Sequence, residues 1–144
     1  MNSMSSKTVG DSFTVMTEIV LQSHVNGTGR LFGGQLMSWM DICGAICAKR
    51  HADYEVVTAS AHQLEFLRPA MPNDVVVITA QMAEVGNTSM KVKVNVYIEA
   101  YGKCKQKRIK TCSAVFIYVA IDENGVKHTV PRLEGNLDVN LLIR

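Results

Sequence analysis

The chain has 144 residues, of which 47% are hydrophobic and 19% are charged, and its formal net charge is +2. These values are typical of one globular domain and exclude the strongly basic profile of most nucleic-acid-binding proteins. No apolar run approaches the ~20 residues that span a bilayer, and the polar N-terminus has no apolar signal-peptide core, so we expect a cytoplasmic protein that binds neither nucleic acid nor membrane.

The hydrophobic pattern predicts one strand, one long helix and four further strands. Apolar residues recur on almost every side of the helical segment, which indicates a helix buried in a core. In segment 89–99 apolar and polar residues alternate strictly, which predicts a strand buried on one face. The Gly86-Asn87 pair before it indicates a hairpin turn. The strands are predicted at 13–22, 55–66, 75–85, 89–99 and 111–121, and the helix at 35–51.

Short connections between these strands imply antiparallel neighbours. The predicted fold class is therefore α+β, with one long central helix against a five-stranded antiparallel sheet. We expect a domain at 12–131, with flexible tails at 1–11 and 132–144. Because a sheet around so apolar a helix leaves apolar surface and an open edge, we expect a homodimer or a higher homo-oligomer, either a tetramer or a hexamer.

The glycine-rich loop before the helix and the helix itself contain the candidate catalytic groups. Asp41 stands within the apolar helical pattern, where a buried unpaired carboxylate is costly and is usually paired, protonated or used in chemistry. Gly33 and Gly34 stand at the helix start, where backbone N–H groups lack internal partners and can hold an oxyanion. Asn26 offers a side-chain amide to the same oxygen. Asp41 would then activate water or attack the carbonyl directly.

The spacing of these groups predicts a site shared between two chains. Gly34 and Asp41 are separated by roughly 10 Å along a helix, and the backward lean of the aspartate recovers only part of that distance. Two antiparallel helices across a dyad would bring both groups to one carbonyl. Small or polar residues also recur at helical spacing at Gly34, Ser38, Asp41, Ala45 and Ala48, which indicates a ligand face or a close helix-packing face.

Four segments follow one another across most of the region 13–131, and they read HVNGTGRLFGGQLMSWMD, VVTASAHQLEFLRPAMPNDVV, EVGNTSMKVKVNVY and VAIDENGVKHTVP. In these segments the chain resembles the hotdog-fold acyl-CoA thioesterases, a family of acyl-CoA hydrolases. The resemblance implies a long helix wrapped by an antiparallel sheet, with active sites between two such units. It also implies hydrolysis of acyl-CoA to free fatty acid and coenzyme A.

The resemblance assigns roles to individual residues. It makes Asp41 the catalytic carboxylate and Asn26 its partner at the thioester, and it makes Gly33 and Gly34 the oxyanion donors. The path of the pantetheine arm would be lined by Thr58 and by four turn residues, Gly86, Asn87, Thr88 and Ser89.

Basic residues are the candidate contacts for the phosphates of coenzyme A. One is Arg68, which precedes a proline at a strand end. Another is a cluster that more often forms a solvated hairpin turn, consisting of Lys103, Lys105, Lys107, Arg108 and Lys110. Two positions depart from the family pattern, because relatives often carry a basic residue at the position of Asn87 and an acidic one at that of His62.

Two alternative functions stay open at this point. His24 is a second candidate base, which would make the protein a hotdog enoyl-CoA hydratase or dehydratase. A non-catalytic acyl-CoA sensor is the other alternative. No metal-ligand spacing or dinucleotide fingerprint occurs, so we expect no metal and no cofactor beyond the coenzyme A of the substrate. Cys43 and Cys47, one helical turn apart, are predicted to be small core residues.

Overall fold

The computed structural model describes residues 5–101 and 107–135. Its elements, numbered in chain order, are one long helix, one short helix, five strands of the main sheet and two three-residue strands. They are β1 Ser6–Thr8, α1 Val9–Ser12, β2 Thr14–Ile19, α2 Gly33–Ala52, β3 Glu55–Phe66, β4 Val75–Val85, β5 Ser89–Ala100, β6 Lys107–Ile121 and β7 Arg132–Glu134. A 3-10 turn, Gln22–His24, lies between β2 and α2.

Strands β2 to β6 form one antiparallel sheet in the order β2-β4-β5-β6-β3. The predicted five-stranded antiparallel sheet and the α+β hotdog fold are thus confirmed. Strand β6 begins at Lys107, earlier than predicted, and β2 ends at Ile19, because the chain turns into the 3-10 segment. On β5 the buried positions alternate as predicted, at Met90, Val92, Val94 and Val96.

Helix α2 packs across the sheet and leaves one stripe of its own surface open. Trp39 and Cys47 are buried against the sheet, whereas Ile42, which the pattern assigns to the core, is 48% exposed. Gly34 and Ser38 are exposed on the same stripe. The prediction of a helix buried on almost every side was therefore wrong for the single chain, because its sheet covers one side only. Among the described residues, no helix combines the length and apolar character needed to cross a membrane.

Both ends of the described chain carry regular structure beside the end of α2. Strand β1 pairs in parallel with β7, and Val9 and Ser12 of α1 are buried. The structure therefore differs from the predicted flexible tails at residues 6–11 and 132–134. Two three-residue segments so far apart in the chain leave no periodic signal, so the sequence pattern did not predict their pairing.

Strands β2 and β3 are the two edges of the sheet. Most of β3 is exposed, including the apolar side chains of Val57, Leu64 and Phe66. An exposed apolar edge strand is a typical surface for pairing with another chain. Strand β3 is also the strand that contributes a residue to the candidate site.

Candidate active site

Asp41 lies at the centre of the candidate site, and two hydroxyl groups donate hydrogen bonds to it. Thr58 Oγ1 lies 2.8 Å from Asp41 Oδ1, and Tyr118 Oη lies 2.9 Å from the same oxygen. Tyr118 Oη also lies 3.0 Å from the backbone carbonyl oxygen of Asp41. One carboxylate oxygen thus accepts two hydroxyls, whereas Asp41 Oδ2 has no hydrogen-bond partner among the described residues.

The sheet register brings these two hydroxyl donors together. Thr58 on β3 pairs directly with Tyr118 on β6, and the side chains of paired residues lie on the same face of a sheet. The register of β3 shifts between Thr58 and Ser60. Such bulges re-aim the side chains around them and are frequent beside active sites.

An open cavity of about 330 Å³ lies beside the carboxylate. It is lined by small residues, two apolar side chains and the polar groups of the site, namely Gly34, Met37, Ser38, Asp41, Thr58, Ala59, Ser60, Ala61 and Phe116. The structure therefore brings Gly34, Asp41 and Thr58 to one cavity. Thr58, expected along the pantetheine path, contacts Asp41 itself.

Helix α2 begins at Gly33 without a side-chain cap. Its N-cap residue, Phe32, makes no side-chain hydrogen bond to the first turn, and within the described residues the backbone N–H groups of Gly33 and Gly34 have no acceptor. A Cβ on Gly34 would lie 2.6 Å from a carbon of the exposed Phe32 ring, which would have to move to admit it. Uncapped first-turn N–H groups are suited to binding an anion or a developing oxyanion.

Asn26 lies in the loop before the helix, and its side-chain carbonyl is fully engaged there. Asn26 Oδ1 accepts hydrogen bonds from the Thr28 N–H at 3.0 Å, from the Thr28 hydroxyl at 2.6 Å and from the Arg30 N–H at 3.3 Å. The Nδ2 group is therefore the part of the amide that is available to donate. Asn26 does not line the cavity beside Asp41, so one chain does not bring the two residues to a common cavity.

Arg68 lines a second cavity, of about 250 Å³, rather than the one beside Asp41. Arg30 and Gly33 also line it. Two guanidinium groups and the start of a helix therefore border the same space, which gives it a positive potential.

The turn between β4 and β5 is held by backbone hydrogen bonds. The Gly86 N–H donates to Ser89 O at 2.8 Å, and the carbonyl oxygens of Asn87 and Thr88 accept from Val130 and Ala120, each at 3.0 Å. Neither cavity includes any of the four turn residues. Their predicted role along the pantetheine arm stays a prediction.

His24, the alternative base, is part of the scaffold of its loop. Its Nδ1 accepts a 3.0 Å hydrogen bond from the Leu21 N–H, and its ring packs edge-on against Trp39 at a centroid distance of 5.0 Å. His24 does not line the cavity beside Asp41. This position offers no support for the hydratase alternative.

The cysteines behave as core residues in the described part of the chain. Cys43, Cys47 and Cys112 are buried free thiols. Burial raises the pKa of the Cys43 thiol to about 12 and that of the Cys47 thiol to about 11. The core prediction for Cys43 and Cys47 is thus confirmed, and Cys104 lies outside the described residues.

Only part of the basic cluster lies within the described residues, because Lys103 and Lys105 are outside them. Lys107 begins β6. Arg108 Nε lies 3.6 Å from Glu99 Oε2 on the neighbouring strand, which makes that pair a cross-strand contact of the hairpin.

Tyr118 is the site residue that the sequence pattern missed. It stands on the buried face of β6 and is fully buried, so its ring by itself is typical of a core residue. A buried tyrosine hydroxyl nonetheless requires a polar partner, and that requirement was the available signal. Burial raises the pKa of Tyr118, and its hydrogen bond to the Asp41 carboxylate raises it further. The phenol therefore stays protonated and acts as a donor.

Comparison with known sequences relates the chain to enzymes that cleave thioesters. A profile of the thioesterase superfamily matches residues 28–105. The chain is 37% identical over 118 residues to the acyl-CoA thioester hydrolase YciA of Salmonella typhimurium. This match covers 81% of this chain and 89% of the relative.

Comparison with solved structures gives the same result. The acyl-CoA hydrolase of Staphylococcus aureus, solved with butyryl coenzyme A and coenzyme A, has a TM-score of 0.88 and 29% identity, and the match covers 95% of this chain and 82% of that one. The same S. aureus protein has been solved with alanine replacing an asparagine, a threonine or an aspartate. A hexameric thioesterase of Yersinia pestis has a TM-score of 0.75 and 35% identity over 82% of this chain and 94% of its own.

Proposed function

The chain belongs to the thioesterase superfamily and, within it, to the hotdog-fold acyl-CoA hydrolases, and from that premise we propose that it hydrolyses acyl-CoA thioesters to a carboxylic acid and coenzyme A. One observation carries the proposal. The Asp41 carboxylate borders an open cavity with one oxygen held by two hydroxyls and the other without a partner in the described chain.

In this proposal Asp41 is the general base. Its Oδ2 accepts a proton from a water molecule as the water oxygen bonds to the thioester carbonyl carbon. The tetrahedral intermediate then collapses, the carbon–sulfur bond breaks, and the proton passes from Asp41 to the departing sulfur. The products are the carboxylic acid and the coenzyme A thiol.

The negative charge that develops on the carbonyl oxygen requires donors. We assign this role to the uncapped backbone N–H groups of Gly33 and Gly34 and to Asn26 Nδ2. The observation that Asn26 Oδ1 is occupied by its own loop supports this assignment, because it leaves the donor end of the amide available. Removing one such donor typically costs ~10²–10³ in turnover.

The variants of the S. aureus acyl-CoA hydrolase support the choice of residues. In that protein the replaced aspartate follows the replaced asparagine by 15 positions and precedes the replaced threonine by 17. Asn26, Asp41 and Thr58 have the same residue types and the same two spacings in this chain.

We further propose that each site is shared between two chains. Asn26 does not border the cavity of its own Asp41, and the edge strand beside that cavity exposes Val57, Leu64 and Phe66. Pairing of two copies along β3 would cover these side chains and bring the helix start of one chain toward the carboxylate of the other. The hexameric relative from Y. pestis supports assembly beyond the single chain.

The residues that line the two cavities are candidates for contacts with the substrate. We propose Arg68, together with Arg30 in the second cavity, as a contact for the phosphates of coenzyme A, and the turn Gly86–Ser89 as part of the pantetheine path. The apolar wall formed by Met37 and Phe116 would take the acyl chain. A cytoplasmic location, a place in fatty acid metabolism and the absence of a metal or further cofactor stay predictions from the sequence.

The test is thiol release from a panel of acyl-CoAs by the purified protein, followed with a thiol-reactive dye. Wild type should release coenzyme A, and Asp41→Asn should abolish most of the release while it keeps its fold by circular dichroism. The matched control is Asp53→Asn, the same chemical change at the C-cap of α2, where the exposed carboxylate contacts Lys7. It should keep wild-type turnover.

Two outcomes would contradict the proposal. Tight acyl-CoA binding without any thiol release by wild type would identify the protein as a sensor. Equal turnover in wild type and Asp41→Asn would remove the carboxylate from the chemistry.

A further inference from the structure

We propose that Tyr118 is a positioning residue for the Asp41 carboxylate, holding Oδ1 so that Oδ2 alone is presented to the attacking water. This inference rests on the hydrolase function proposed above and adds a residue to it. Tyr118 would act through Asp41 and would not touch the substrate.

The contacts of the Tyr118 hydroxyl carry the inference. Tyr118 is completely buried, and within the described residues both acceptors bonded to its hydroxyl belong to Asp41, namely Oδ1 at 2.9 Å and the backbone carbonyl oxygen at 3.0 Å. A single hydroxyl therefore ties the side chain of Asp41 to its own backbone. This fixes the carboxylate against rotation about its side-chain bonds, which is what a preorganised general base requires.

The glycine at position 44 is a second, independent observation that supports the role of Tyr118. It lies in the interior of α2, where glycine is unfavourable relative to alanine. A Cβ at position 44 would clash with Tyr118 Oη and would lie about 3.0 Å from the ring carbon that bears it. Glycine here makes room for the tyrosine hydroxyl to pass beside the helix and reach Asp41.

Thr58, the register partner of Tyr118 on the neighbouring strand, completes the arrangement. Its hydroxyl donates to the same Oδ1 at 2.8 Å, so this oxygen accepts donors from two strands of the sheet. Two hydroxyls bonded to one oxygen hold the carboxylate in a fixed orientation, as a preorganised general base requires. The remaining oxygen borders the cavity and is the one available to water.

The experiment is steady-state hydrolysis of a short acyl-CoA by Tyr118→Phe, which removes the hydroxyl and keeps the ring. We expect kcat to fall roughly 10- to 100-fold, the value of a hydrogen bond to a charged group, with KM within about twofold because no substrate contact is lost. A fall in kcat with an unchanged KM is a split that a general loss of structure would not produce.

Tyr97→Phe is the matched control, because it removes a tyrosine hydroxyl from β5 of the same sheet, where Tyr97 is partly buried. It should leave kcat and KM unchanged. Gly44→Ala is a second route to the same effect, since its new Cβ displaces the hydroxyl. Its effect on kcat should not add to that of Tyr118→Phe, because both remove one interaction.

The results separate this inference from the function on which it rests. If wild type hydrolyses acyl-CoA and Tyr118→Phe matches it in kcat, the role of Tyr118 is overturned and the hydrolase function stands. If wild type does not hydrolyse acyl-CoA, the hydrolase function fails. The carbon-13 chemical shift of the Asp41 carboxyl at neutral pH then decides on Tyr118, because Tyr118→Phe changes that chemical shift only if the hydroxyl is bonded to the carboxylate in wild type.

Discussion

The Thr58 hydroxyl donates a 2.8 Å hydrogen bond to Asp41 Oδ1 and thereby joins edge strand β3 to helix α2. The carboxylate of the site is thus held in part by the outermost strand of the sheet, whose side chains are largely exposed in the single chain. Its geometry therefore depends on how β3 is held in place.

Thr58→Val should lower kcat roughly tenfold, because it removes a hydroxyl donor to the carboxylate and keeps a β-branched side chain suited to a strand. Thr17→Val on the opposite edge strand, where Thr17 is also exposed, is the control and should retain wild-type turnover. Initial rates of thiol release measure both. An unchanged kcat in Thr58→Val would show that the hydrogen bond to Asp41 has no part in the rate.

Asn26→Ala should lower kcat ~10²–10³-fold with a smaller change in KM, since an oxyanion donor acts mainly in the transition state. Asn26→Asp separates the donor from the loop contacts, because its carboxylate still accepts from Thr28 and Arg30 and lacks the N–H group. Both variants should be slow. Recovery of activity in Asn26→Asp would mean that Asn26 serves the loop rather than the oxyanion.

Mixing subunits tests whether sites are shared. Asn26→Ala and Asp41→Ala homomers should both be inactive, and random reassociation as dimers should restore up to about a quarter of wild-type activity, because half of the dimers carry one intact composite site. Refolding the two variants together, with native mass spectrometry to count mixed species, measures this. Mixed dimers without any recovered activity would indicate a site contained in one chain.

The environment of His51 predicts that the free energy of unfolding decreases at acidic pH. His51 Nε2 lies 2.7 Å from Pro131 O, and its buried Nδ1 has no partner in the described part of the chain. Burial lowers the pKa of His51, and the Pro131 carbonyl only partly opposes that shift. The unfolded chain, with its histidine near 6.5, therefore binds more protons than the folded one below that pH.

The free energy of unfolding should accordingly be at its full value above pH ~7 and should decline as the pH falls from ~6.5 toward the lowered pKa. Urea unfolding at fixed protein concentration, between pH 5 and 8, gives the slope. His51→Gln should flatten this decline, and His62→Gln on the exposed edge strand serves as its control. The same slope in wild type and His51→Gln would exclude His51 as its source.

Local pattern predicted most of the fold. Strands β3 and β4 have the predicted bounds, and helix α2 extends the predicted 35–51 by one or two residues at each end. These elements carry strong periodicity and clear turn residues. The pairing of β1 with β7 was missed, because it depends on tertiary contacts between short segments rather than on a repeating pattern.

The candidate site was partly predictable for a different reason. Asp41 stood out because a carboxylate in an apolar helix is costly, and Gly34 stood out because glycines at a helix start expose donors. Tyr118 gave no such signal, since its role follows from the strand register that sets it opposite Thr58. The bonding of Asn26 Oδ1 within its own loop likewise depends on the loop conformation and not on residue type alone.

The protonated thiols of the core have a practical consequence for assays of an enzyme that releases a thiol product at every turnover. Cys43, Cys47 and Cys112 are shielded and hold their protons well above neutral pH, so they are poor nucleophiles toward disulfides. Oxidised coenzyme A should not become attached to them, and a colorimetric sulfhydryl assay on native protein should leave them unlabelled. Its signal would then report the released product above the constant background of any accessible cysteine.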